Sequence, residues 1–110
     1  SRDRKMDIDK ASDNALEKAV KAAELDGAAR MLEEMKKILL SELANQSGES
    51  SVAAAIHWAQ KHEKFKTHIT EMVTARTAAN IAKAEWEATQ MRFEAWRTKQ
   101  ATHRAEMNLR

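Results

Sequence analysis

Not one proline interrupts this chain of 110 residues, and its only glycines are Gly27 and Gly48. Sheet folds need frequent turns, and tight turns draw heavily on Gly, Pro, Asn and Asp to reach their backbone angles. So few breakers cannot serve an all-β or α/β architecture. The residues that dominate instead, Ala, Glu, Lys, Arg, Met and Leu, are the strong helix formers. An all-α fold of long helices is expected, in one domain with room for a modest core.

The segment NQSGES, residues 45–50, is the one convincing loop. Asn45 or Gly48 can end a first helix there, and Ser50 or Ser51 can cap the next. Upstream, SRDRKMDIDKA (residues 1–11) is charged and has no periodic apolar face, so it is expected to be disordered. Ser12 or Asp13 then serves as N-cap of a helix over about 13–44, with Asp13 and Glu17 favouring its positive end. Leu16, Val20 and Ala23, then Ala28, Met31, Leu32, Met35, Ile38, Leu39 and Leu43, form its apolar stripe. Gly27 interrupts that stripe, at a cost of ~1 kcal/mol relative to Ala, and marks either a kink or a close approach to a neighbouring helix. The single helical domain is read as 12–110, with residues 51–109 helical and a break allowed near His62, where the apolar phase changes.

Beyond that point a heptad runs to the end of the chain. Phe65, Met72, Ala79, Trp86, Phe93, Gln100 and Met107 are each seven apart, and His68, Ala75, Ala82, Thr89, Trp96 and His103 follow them by three. An a/d pattern sustained this long reads as a coiled-coil seam, with several polar d positions. About 45 residues at ~1.5 Å each would make a rod of roughly 65–70 Å, which a first helix of about 32 residues covers only in part. Trp86, Phe93 and Trp96 could not be buried by such a rod alone. The expected architecture is therefore a helical hairpin with a long C-terminal helix, assembled as a homo-oligomer through Phe65, Met72, Ala79, Trp86, Phe93 and Trp96.

The edges of that seam are charged. Residues 1–51 carry 9 Lys/Arg against 11 Asp/Glu, and residues 52–110 carry 10 against 6. In a parallel dimer Glu71 would face Arg76, but Arg92 would face Arg97 and Lys99 would face Arg104. Like charges at that spacing call for an anion. It could come from the acidic first helix, through Glu33, Glu34 or Glu42, or from nucleic acid. Single-strand binders combine a positive groove with aromatic faces for base stacking, and Arg92, Trp96, Arg97, Lys99 and Arg104 have that composition. Against this, Trp86, Phe93 and Trp96 share a helical face with Met72 and Met107 and read first as core.

Other chemistries find no support in the residues. There is no Cys, which removes disulfides, thiolate zinc sites and cysteine nucleophiles. His57, His62, His68 and His103 lack the i, i+4 spacing that puts two imidazoles on one helix face, and no HExxH occurs. No Gly-rich phosphate loop, nucleophile–base pair or isolated carboxylate pair is present, so a non-enzymatic protein without metal or cofactor is expected. No apolar run approaches the ~20 residues of a membrane span, and the Glu-rich polar face argues against a surface-lying membrane helix.

The run Met91-x-Phe93-Glu94-x-Trp96-Arg97-Thr98, with Ala101 and Arg104 beyond it, resembles the C-terminal end of small helical bacteriophage proteins. Some of these are similar to recombination mediators of the UvsY type, oligomeric helical proteins that bind single-stranded DNA and help load a recombinase. The resemblance covers roughly residues 60–107 and implies a phage accessory protein acting in the host cytoplasm. The chain departs from the mediators in being shorter, weakly basic and without Tyr. Two functions are therefore expected in turn: an oligomeric single-stranded-DNA binder, or a protein–protein adaptor or assembly factor such as a packaging subunit or an inhibitor of a host protein.

Overall fold

The computed structural model describes residues 2–109, and their side chains from Ile8 onward. Three helices account for almost all of them: α1 (Arg2–Gln46), α2 (Val52–Lys61) and α3 (Glu63–Asn108), with no strand among the described residues. The fold is all-α.

Helix α1 begins at Arg2 rather than at residue 13, so neither Ser12 nor Asp13 caps it. Nothing between residues 2 and 12 breaks a helix, and Ile8 is half-buried beside Trp96. The turn after α1 is built from its own polar atoms. Ser47 Oγ donates to the Ala44 carbonyl at 2.7 Å and accepts from the Glu49 amide at 3.1 Å. Gly48 follows at φ 72°, a left-handed conformation that a Cβ would strain. Ser51 then caps α2, its hydroxyl accepting from the Ala54 amide at 3.1 Å. One break separates α2 from α3, at His62, whose backbone is extended. Its Nδ1 accepts from the Lys64 amide at 3.1 Å, and its carbonyl accepts from Phe65 and Lys66, so this histidine caps α3.

The chain divides into two compact units: residues 23–80, and residues 1–22 together with 81–110. In the first, the later part of α1 runs antiparallel to the early part of α3, with α2 between them in sequence. Its core is Leu43, Ala59 and Phe65, against which Leu39, Leu40, Ala44 and Ile69 pack. Leu43, at 1% exposure, is the one large side chain that is fully buried among the described residues. Burying Leu43 and Phe65 contributes roughly 1.5–3 kcal/mol each.

The face of α1 that packs differs from the expected stripe. Ala29 is buried and Ala22, Leu25, Leu32, Leu39 and Leu40 are half-buried, whereas Leu16, Val20, Ala23, Ala28, Met31, Met35 and Ile38 are exposed. Apolar residues cover so much of the helix circumference that periodicity admits two stripes. Polar contacts select between them. Arg76 of α3 donates through Nε and one terminal nitrogen to both oxygens of Glu33 (2.9 and 2.7 Å), and through the other to Asp26 (2.8 Å). Asp26 is also paired with Arg30, one turn along α1. About two turns before Arg76 on α3, His68 Nε2 donates to the Leu32 carbonyl at 2.7 Å; a carbonyl can only accept, so Nε2 carries the proton. Asp26 and Glu33, seven apart, thus line the edge of the Leu25–Ala29–Leu32 face and hold it against α3.

In the second unit Lys18 meets Glu85 at 3.3 Å, Ala82 and Thr89 are buried, and the Thr89 hydroxyl donates to the Glu85 carbonyl. The heptad of α3 describes burial well in both units. Phe65, His68, Ala79, Ala82 and Thr89 are buried and Met72, Ala75, Trp86, Phe93, Trp96 and Gln100 half-buried. His103 and Met107 at its end are exposed.

Candidate functional site

That burial exists within a single chain. The stripe expected to be an oligomer seam, Phe65, Met72, Ala79, Trp86, Phe93 and Trp96, is at least half covered by the chain's own residues. Arg76, which in a parallel dimer would face Glu71 of another copy, is engaged within the chain by Asp26 and Glu33. A parallel dimer through this seam would have to displace α1. Hydrogen bonds from Arg76 hold the Glu33 carboxyl below its ordinary range, only partly offset by its desolvation, and the same contacts raise the guanidinium.

The residues nominated for nucleic acid lie on the last third of α3. Helical rotation separates Arg92 from Arg97 by about 140°, while residues seven apart nearly superpose. Arg92 and Lys99 therefore form one strip, and Arg97 and Arg104 another. Trp96 stands between them and walls both shallow grooves that run along this part of the helix, one with Arg92 and Lys99, the other with Arg97, Arg104 and Ile8. It is half-buried and its ring lies 6.0 Å from that of Phe93. The five candidates are thus neighbours, but not one surface.

Their charges are unequally engaged. Arg97 pairs with Glu94 of its own helix at 3.2 Å, and Arg92 donates to the Thr89 hydroxyl at 3.4 Å. Lys99 and Arg104 make no ion pair among the described residues. Of the acidic residues of the first helix considered as partners, Glu33 is engaged by Arg76, and Glu34 and Glu42 are exposed. Each strip of one chain thus offers two cations, too few for a deep positive groove unless copies are arrayed.

The histidines fall in separate settings: His57 and His103 exposed, His62 at a helix cap, His68 on the Leu32 carbonyl. Among the described residues no helix is long and apolar enough to cross a membrane. The Arg76 clamp and the His62 cap escape a reading based on a coiled coil of identical helices. Placing α3 antiparallel to α1 would have exposed the first, since Asp26 and Glu33 then flank one e position.

Large apolar side chains are left open on both units. Leu16, Met31, Ile38, Val73, Ile81, Met91 and Met107 are each more than half exposed, whereas among the described residues five of the seven buried apolar ones are alanines. Comparison with known proteins found no family model, no curated protein and no solved structure that matches the chain.

Proposed function

We propose that the protein is a non-enzymatic helical assembly protein that works as an oligomer, presenting surfaces to protein partners rather than a cavity to a substrate. The observation that supports this most is the imbalance between core and surface. The chain exposes 8655 Å². A folded monomer of 12.5 kDa exposes about 6,200 Å² by the usual scaling of area with mass. The difference, about 2,500 Å², is what one subunit of a large obligate interface buries. Sedimentation or light scattering across micromolar concentrations is expected to give a multiple of the 12.5 kDa chain mass. A monomer at every concentration would sink the reading.

A second reading gives this assembly single-stranded DNA as its partner, as the resemblance to recombination mediators suggests. It draws on Lys99 and Arg104 beside Trp96, which make no ion pair among the described residues and recur once per copy. Binding of a labelled oligonucleotide should weaken steeply with salt and fall at least tenfold in Lys99→Glu/Arg104→Glu. Binding that ignores both salt and these changes would remove DNA from consideration and leave the protein–protein role.

A further inference from the structure

We infer that the outer face of α1 around Gly27 is the surface on which a second copy of this chain docks, with the two α1 helices crossing antiparallel at Gly27. This inference rests on the oligomeric reading above and assigns it a surface. Ala23, Gly27, Met31 and Ile38 share one strip of the helix, and all are exposed, Met31 at 64% and Ile38 at 59%. Their own chain cannot cover them, because α3 is held to the other side of α1 by Arg76 and His68.

Gly27 explains itself in this frame. It sits in mid-helix, where Gly costs ~1 kcal/mol relative to Ala, and a Cβ built there meets nothing within 4 Å. Neither a turn nor packing within the chain requires it. A two-fold contact places one residue opposite itself on the axis, and Gly there admits the closest approach of two backbones. Met31 of each helix then lies over Ala23 of the other, large against small, seen from four residues to either side of the axis.

Orientation follows from Glu34, the charged residue within the strip. A parallel, in-register pair would set the two Glu34 carboxylates face to face. An antiparallel crossing at Gly27 moves each seven residues away from the axis, on opposite sides, so that about 21 Å of helix separates them. That is beyond the ~8–10 Å over which exposed charges interact at physiological salt. The occupant is a second copy because the demand for cover is permanent: among the described residues the core holds two large buried side chains, Leu43 and Phe65, beside an excess exposed area of obligate-interface size.

The chain has no Cys, so Gly27→Cys introduces a unique thiol. Mild oxidation of that variant is expected to give a covalent dimer that reductant dissolves, while Thr67→Cys, on an exposed position of α3, gives none. Alongside, Met31→Glu/Ile38→Glu should weaken self-association at least tenfold by sedimentation, and Met91→Glu should leave it unchanged. An oligomer that keeps its mass in the double variant and forms no Gly27→Cys cross-link overturns this face and leaves the oligomeric reading intact. A wild-type chain that is monomeric throughout overturns both. Should the double variant lose its helicity, the cross-link alone decides.

Discussion

Arg76 satisfies two carboxylates seven residues apart with one guanidinium, and no apolar contact in this fold is as specific about register. Arg76→Met would take from Asp26 and Glu33 the cation they share, and thermal unfolding at pH 7 should come at a lower temperature, by a few degrees at most for a partly exposed pair. The acid dependence follows from the depressed Glu33 carboxyl. A folded-state value below the unfolded one contributes stability that is present above the ordinary carboxylate range and lost as pH falls through the folded value. The gap between wild type and Arg76→Met should therefore narrow as the pH of the melt is lowered from 7 to 3. A gap that stays constant would mean the pairing does not act through charge. Leu43→Ala tests the apolar side: removing this large, fully buried side chain should cost about 2–5 kcal/mol in urea unfolding, a large share of a small domain's stability.

Among the elements, the connection from α1 to α2 is the most legible in the sequence. NQSGES with the Ser51 that follows it supplies the glycine and the serine that a C-terminal turn and a new N-cap need, and Gly48 at φ 72° with Ser51 on the Ala54 amide are the outcome. Gly48→Ala, forced into that conformation, should destabilise by about 1–2 kcal/mol, and Ser51→Ala by about 1 kcal/mol. Both are read from denaturation midpoints, and no loss in either would show that the turn is not tightly held. The heptad of α3 was equally legible, because an a/d stripe of aromatics, Met and Ala is the narrowest apolar face that helix has. Helix α1 was not. Its Leu, Ile, Met and Ala residues encircle the helix, and only the partner's charges, Arg76 against Asp26 and Glu33, break the tie. Its start at Arg2 was hidden for a related reason: a charged, aperiodic segment stays helical where another helix lies beside it, as Trp96 lies beside Ile8.

At the scale of the molecule, the prediction concerns concentration. If the native state is an oligomer that unfolds as it dissociates, a tenfold rise in protein concentration stabilises a dimer by about 1.4 kcal/mol. The melting temperature should then rise by a few degrees per decade. A midpoint independent of concentration from about 1 to 100 μM would place the whole stability in one chain. The same scale explains why the basic residues could be named but not arranged. Composition picks out Arg92, Arg97, Lys99 and Arg104, yet whether they make a groove depends on which face is covered, and Trp96 divides them.

By itself the sequence determined what local chemistry controls: helix almost everywhere for want of breakers, one turn at its glycine and serines, and the stripe of α3 that would be buried. Tertiary structure decided what occupies that stripe. The alternative faces of α1 have nearly equal apolar content, so the choice among them rests on long-range contacts, 50 residues apart for Asp26 and Arg76, that no local pattern encodes.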